Sequence, residues 1–279
     1  MKIIRHIKEM QELSTSFKKQ NKSIGFVATM GYLHEGHTNL MKEARENDVL
    51  VASIFVNPLQ FGPNEDFESY PRDEEMDIQV AEETGVDVLF MPDVQEMYPH
   101  EPVIQMKITD RTDVLCGRTR PGHYDGVVTV LTKLFHIIQP DRAYFGIKDA
   151  QQVAVVDALI QELNFPIELV SVPTVRETDG LAKSSRNVRL SAEERKEATW
   201  LYQALLHGKG MIEEGKHTPD QVVIEVQKII EKNTSGRIDY VEILSYPDLK
   251  PVNDTKGKII LAVAVHFEKA RLIDNLIIG

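Results

Sequence analysis

Apolar residues at Ile7, Met10, Leu13 and Phe17 recur at the spacing of one helical face, and residues 24–28 (Ile-Gly-Phe-Val-Ala) then read as a short buried strand. The same hand-over repeats along the chain. A helix is expected after His37, a β-rich run over 49–56, a helix over 73–84 stopped by Gly85, and a strand over 86–91. Residues 103–108 form a further candidate strand. Val127, Val130, Leu131, Leu134 and Ile138 mark the apolar face of a helix ending before Pro140, followed by a strand over 143–145, a helix over 150–163 and a strand over 167–172. Such alternation requires crossover connections and therefore a parallel, doubly wound sheet.

Past Pro173 the pattern changes. Ser191-Ala192-Glu193-Glu194 has the form of a capping box and opens a long charged helix, and Thr218-Pro219-Asp220-Gln221 opens another. Strand-like runs follow over 239–244, 258–265 and 272–278. The expected fold is α/β: a Rossmann-like parallel sheet over 1–175 and a second, smaller α+β domain over 176–279, with the boundary near Val175. No internal repeat or low-complexity tract interrupts this division.

At 279 residues, with 42% hydrophobic and 27% charged positions, the chain is long enough for two domains and has the composition of a folded globular protein. Lys and Arg number 32 against 43 Asp and Glu, a net charge of −11 that disfavours bulk binding to nucleic acid or an anionic membrane surface. Any anionic ligand must be met by local cations and donors. Cys116 is the single cysteine, which excludes an intramolecular disulfide and a multi-cysteine zinc site. The longest apolar runs, 49–56 and 259–265, are of strand length, and the first six residues lack the apolar core of a signal peptide. A cytoplasmic protein without membrane association is expected.

The most informative segment is Thr29-Met30-Gly31-Tyr32-Leu33-His34-Glu35-Gly36-His37, between the first sheet strand and the next helix. Ligands of open α/β sheets gather beyond the carboxyl ends of strands, where helix starts favour phosphate. Gly31 and Gly36 permit close backbone approach, while His34 and His37 can donate to phosphoryl oxygens as charge develops. A single histidine here would be read as a surface or capping residue; two in H-x-G-H at a strand-to-helix turn point to a triphosphate. The spacing is not that of a zinc-binding H-E-x-x-H, and neither a Walker A sequence nor a G-x-G-x-x-G fingerprint occurs. H-x-G-H by itself indicates adenylyl transfer.

Four further segments occupy strand ends or junctions. Asn57-Pro58-Leu59-Gln60-Phe61-Gly62-Pro63-Asn64-Glu65-Asp66 follows the strand-like run 49–56, and taken alone is equally a Pro/Gly turn. Arg120-Pro121-Gly122-His123-Tyr124-Asp125-Gly126-Val127 precedes a long helix and suits either a loop over a cleft or an ordinary turn. In Phe145-Gly146-Ile147-Lys148-Asp149-Ala150-Gln151-Gln152, Lys148 can neutralise phosphate, and Asp149 can cap the helix or hold a ribose hydroxyl. Residues 176–187, which include Asp179-Gly180-Leu181-Ala182-Lys183-Ser184-Ser185-Arg186-Asn187, bring hydroxyls and cations to the expected domain junction.

In this order and at these separations, the five segments resemble the pantothenate synthetase family, the pantoate–β-alanine ligases, over essentially the whole chain. The resemblance implies an ATP- and Mg2+-dependent ligase that joins (R)-pantoate to β-alanine through pantoyl adenylate, releasing AMP and diphosphate, and that is a homodimer. It implies ATP binding by Met30, Gly31, Tyr32, Leu33, His34, Glu35, Gly36 and His37, by Gly146, Ile147, Lys148 and Asp149, by Val175, and by Lys183, Ser184, Ser185 and Arg186, which would close on the phosphates as a lid. His37, with His34, is the implied catalytic group, as an acid or a stabiliser of charge. Gln60 and Gln152 are the implied pantoate-binding residues, and Gln60 also helps position β-alanine. Magnesium would ride on ATP oxygens and water without a dedicated protein site, Asp77 being the one side chain considered for contacting it.

Two positions depart from the family pattern: Lys183 stands where Met is usual, and Ile147 where Glu is usual. Lys183 adds a cation beside the implied phosphate lid, which puts the division of labour among Lys183, Ser184 and Arg186 in question. The competing readings are an H-x-G-H adenylyltransferase that retains AMP in its product and a non-catalytic nucleotide-binding module. The glutamine pair and the Ser-Ser-Arg segment argue against the first, and turnover of ATP with both substrates would separate the second.

Overall fold

A computed structural model describes all residues of the chain except Asn64 and Asp66, so those two positions of the 57–66 motif lie outside the described residues. The elements run β1 (Lys2–Ile4), α1 (Ile7–Lys19), β2 (Ile24–Thr29), α2 (Glu35–Ala44), β3 (Val49–Ile54), α3 (Glu74–Glu83), β4 (Val88–Phe90), α4 (Val94–Met97), α5 (Leu115–Thr119), α6 (His123–Ile138), β5 (Arg142–Gly146), α7 (Ala150–Glu162) and β6 (Glu168–Val172). They continue with α8 (Ala192–Glu197), α9 (Thr199–Glu214), α10 (Pro219–Asn233), β7 (Arg237–Ser245), β8 (Ile259–His266) and β9 (Arg271–Ile278).

These residues form two compact units. The first comprises Met1–Thr109, Arg120–Ile147 and Val155–Pro173; the second comprises Asp110–Thr119, Lys148–Ala154 and Thr174–Gly279. The change of pattern at Pro173 coincides with one division. The second unit also takes in α5 and the start of α7, which a linear boundary at Val175 leaves with the first. The cause lies in packing: Leu115, Cys116, Ala150 and Ala154 join Tyr240, Ile260 and Ala262 in one apolar cluster.

The first unit is built on six parallel strands in the order β1-β4-β3-β2-β5-β6. Strand order reverses between β2 and β5, where a doubly wound sheet opens a crevice at its carboxyl edge. Phe26 and Val27 of β2, Leu50 and Val51 of β3, and Leu89 and Phe90 of β4 are fully buried, as expected for strands covered on both faces. Each such side chain contributes roughly 1.5 to 3 kcal/mol by leaving water. Residues 103–108 are not a strand: Val103 and Ile104 are 88% and 76% exposed, and the segment has no ladder partner. A β-prone sequence forms a strand only where another strand pairs with it, and here none does among the described residues: the Ile108 N–H is taken by the Asp125 carboxylate (3.0 Å) and not by a ladder.

The second unit carries the antiparallel sheet β7-β8-β9, with α9 burying Leu201, Ala204, Leu205, Gly208 and Ile212 and α10 burying Val222, Val226 and Ile230 at helical spacing. Both expected capping boxes form, Ser191 with Glu194 and Thr218 with Gln221. The helix opened by Ser191 is shorter than its sequence pattern suggests. It ends at Ala198, where the Leu201 N–H reaches the Ala198 carbonyl three residues back and α9 starts afresh.

Candidate active site

In the first unit, β2 ends at Thr29, whose hydroxyl donates to the Ser53 carbonyl (2.8 Å) and accepts from the Gly31 N–H (3.2 Å). Gly31 and Tyr32 both take left-handed backbone (φ 81° and 52°), a turn that points the N–H groups of Tyr32 and Leu33 at the Asp77 carboxylate (2.9 and 2.7 Å). A side chain at position 31 would meet that carboxylate at 2.7 Å. Asp77, on α3, is 2% exposed; desolvation raises its pKa against the opposing pull of the two N–H donors.

The loop runs directly into α2, where His34 is the N-cap. Its Nδ1 accepts from the Gly36 N–H (3.1 Å), and the His34 N–H donates to His37 Nδ1 (3.3 Å), so two imidazoles form a reciprocal capping box with ring centroids 4.1 Å apart. An Nδ1 that accepts carries no proton, and the hydrogen-bond pattern therefore assigns both neutral rings the Nε2–H tautomer. The amides of Gly31, Tyr32, Leu33, His34 and Gly36 all have acceptors within the protein, and that of His37 bonds the His34 carbonyl. Donors for an anion at this loop are accordingly imidazole Nε2–H groups more than backbone amides.

Gln60 lies against the start of this loop. It is 8% exposed, its Nε2 donates to Met30 Sδ (3.0 Å), and its Oε1 accepts from Asn57 Nδ2 (3.2 Å). Its carbonyl is held by His123 Nδ1 (2.8 Å), His123 Nε2 is met by Arg120 (3.0 Å), and Arg120 forms a two-pronged pair with Glu65 (2.7 and 2.6 Å). Burial opposes ionisation of Glu65, but the Arg120 guanidinium outweighs it and holds the carboxyl below its usual pKa. Gly126 completes the fit, since a Cβ there would sit 2.3 Å from the Leu59 carbonyl oxygen. The Arg120–Val127 segment is thus a scaffold for Gln60.

The other implied site residues belong mainly to the second unit. Gly146 ends β5, and Ile147, Lys148 and Asp149 form a single 3-10 turn into α7. Asp149 Oδ1 accepts from the Gln152 N–H (3.0 Å), so it caps the helix whose first turn carries Gln152. Lys148, Ala182, Ser184, Asn187 and Asp274 line one small pocket. Burial draws the Lys148 ammonium below its usual pKa; Asp149 and Asp274 oppose that shift and Arg186 adds to it. Val175 accepts from the Lys183 N–H (2.9 Å), and Ser184 Oγ accepts from the Arg186 N–H (3.3 Å), capping the turn that contains Ser185. The Lys183 ammonium pairs with Glu177 at 2.8 Å.

The family model described as pantoate-beta-alanine ligase matches residues 2–277. A pantothenate synthetase of Geobacillus sp. (strain WCH70) is 62% identical over 271 residues, covering 97% of this chain and 96% of that protein. The chain belongs to the pantoate-β-alanine ligase family. Its fold matches the crystal structure of pantothenate synthetase from Thermus thermophilus with a TM-score of 0.93 at 44% identity, over 99% of both chains. It also matches pantoate-beta-alanine ligase from Francisella tularensis, solved in complex with beta-gamma ATP and beta-alanine, with a TM-score of 0.81 at 33% identity, over 99% of this chain and 97% of that one.

For a member of this family, three features beyond the motif readings stand out. Asp77 anchors the histidine loop through both carboxylate oxygens, a role that its consideration as a metal contact did not anticipate. Asn57 donates to the Gln60 Oε1 (3.2 Å) and accepts from the Tyr98 hydroxyl (2.9 Å). Gln151, 3% exposed, accepts from the Cys116 N–H and donates to the Arg111 and Val114 carbonyls (each 2.9 Å), so the first glutamine of the pair fastens the segment around α5 to α7. The signal for Asp77 was a carboxylate in the first turns of a helix following a strand-end loop. Nothing local marked Tyr98.

Proposed function

We infer that the chain is an ATP-dependent ligase that condenses (R)-pantoate with β-alanine, and that its residues act as follows. The pantoate carboxylate attacks the α-phosphate of ATP to give pantoyl adenylate and diphosphate; the β-alanine amine then displaces AMP. The Nε2–H groups of His37 and His34 face the negative charge that develops on phosphorus-bound oxygens, where a preorganised donor is worth far more than in water. Gln60 binds pantoate without trapping its carboxylate in an ion pair, and Gln152 acts with it. Lys148, Ser184 and Arg186 receive the nucleotide phosphates, and Val175 the nucleoside.

The observation that carries this reading is the contact of the Gln60 amide with Met30, which sets a carboxylate-binding group beside the first residue of the histidine loop. Magnesium enters with ATP in this reading, since both oxygens of Asp77 already accept loop amides. Among the described residues no helix is long and apolar enough to cross a membrane. We assign the protein to the cytoplasm and, as for its family, to a homodimer.

Carboxylate-18O pantoate should deliver label to AMP; label in diphosphate with none in AMP would overturn the acyl-adenylate route. Gln60→Ala and Gln152→Ala should each weaken pantoate binding by about one to two decades with ATP affinity preserved, because each removes hydrogen bonds to one substrate only. Calorimetric titration with pantoate and with an ATP analogue measures both, and equal loss of the two ligands would contradict the assignment.

A further inference from the structure

The Gln60 carboxamide could in principle turn either its oxygen or its NH2 toward a ligand, and the two choices recognise opposite chemistry. The surrounding hydrogen bonds decide between them. Asn57 is 1% exposed, and its Oδ1 accepts from the Tyr98 hydroxyl (2.9 Å) and from the Leu59 N–H (3.3 Å). With its oxygen committed to two donors, Asn57 must present its NH2 to the Gly126 carbonyl (3.0 Å) and to Gln60 (3.2 Å). Only the Gln60 oxygen can accept from that NH2, so the Gln60 NH2 faces the other way. There it meets only the Met30 thioether among the described residues, and a thioether is a weak acceptor.

We propose that Tyr98 is a positioning residue for pantoate: its hydroxyl, with the Leu59 N–H and the Gly126 carbonyl, holds the Asn57 amide in the sense that leaves Gln60 a donor toward the substrate's carboxylate or hydroxyl oxygens. The Tyr98 bond to Asn57 is shorter than that from Leu59, so it is the stronger of the two constraints. Burial also raises the Tyr98 pKa far above that of a free phenol, which keeps the hydroxyl a donor across the working pH range. Its ring is held by Phe55 (centroids 6.0 Å apart) and by the Lys133 ammonium 5.4 Å above it, so the hydroxyl is delivered from a fixed platform. Removing the hydroxyl takes away the shorter of the two bonds to the Asn57 oxygen; the Leu59 N–H and the Gly126 carbonyl still set the sense of that amide, but the group that orients Gln60 is held less firmly.

The proposal rests on Gln60 binding pantoate, and a double-mutant cycle separates the two claims. Calorimetric titration with pantoate and with a non-hydrolysable ATP analogue is performed on the full-length wild type, Tyr98→Phe, Gln60→Ala and the double variant. Tyr98→Phe should weaken pantoate binding roughly five- to twentyfold with the ATP analogue bound normally, and should add less than about a twofold loss once Gln60 is alanine, because a residue that acts through another has nothing left to orient. Full additivity, or unchanged pantoate affinity in Tyr98→Phe, would overturn the proposal while leaving the role of Gln60 standing. Normal pantoate binding by Gln60→Ala would overturn both. A Tyr98→Phe variant that loses both ligands together reports general damage to the site and also counts against a positioning role.

Discussion

The histidine loop of the first unit and the cationic segments of the second are held by different physics. In the loop, Thr29, Asp77, His34 and His37 satisfy one backbone amide after another, and the two imidazoles cap the helix on which they ride. Its geometry is set before any ligand arrives. Around Lys148 and Lys183, by contrast, position depends on charge: a desolvated ammonium near Asp149, Asp274 and Arg186, and a partly exposed ion pair with Glu177. Buried hydrogen-bond networks are insensitive to salt and costly to break, whereas partly exposed ion pairs are screened and weak. The first region should therefore respond to mutation in turnover or ATP affinity with little dependence on salt, and the second in nucleotide affinity that varies with pH and ionic strength.

The largest effect expected from this contrast is at His37. His37→Ala should lower kcat by about two to three decades, the usual loss when one donor to transition-state charge is removed. Thermal melting should fall by only the few degrees that one lost capping bond costs, salt dependence should stay near wild type, and near-normal turnover would refute the role of His37. Next comes Asp77→Asn, in which an NH2 replaces one of the two acceptor oxygens under the loop. ATP affinity should fall about tenfold, in line with losing a hydrogen bond to a charged group, while relief of the buried charge keeps the melting temperature from dropping. A variant with unchanged ATP affinity would show that the loop holds its shape without Asp77.

A smaller effect tests the second region through pH. Because burial lowers the Lys148 pKa, its ammonium loses its proton at lower pH than the ordinary lysine value of 10.5, so kcat/KM for ATP should fall on the alkaline side below that value. Lys148→Arg keeps its charge throughout and should move the alkaline limb upward; an unmoved limb would assign it to another group. The smallest change is expected at Glu177→Gln. Releasing Lys183 from an ion pair worth about 0 to 1 kcal/mol should alter the KM for ATP by no more than about fivefold, with the difference vanishing at high salt. A tenfold change would make that pair a principal determinant of nucleotide binding.

What could be read without coordinates was local. Strand-helix alternation, the face of α6, and the capping boxes at Ser191 and Thr218 each repeat within one or two turns of backbone, so their signals survive in the linear order of residues. The motif residues were equally visible because strand ends place them at known points of a parallel sheet. Tertiary structure decided everything that depends on a distant partner. Asp77 binds amides more than forty positions earlier in the chain, Tyr98 reaches Asn57 across a separation of 41, and Gln151 reaches Cys116 across 35. The same dependence kept residues 103–108 out of any sheet and drew α5 into the second unit. Periodicity and capping are properties of neighbouring residues, whereas the orientation of a buried amide or carboxylate is fixed by whichever donors the folded chain brings to it, and the order of residues alone does not record which those are.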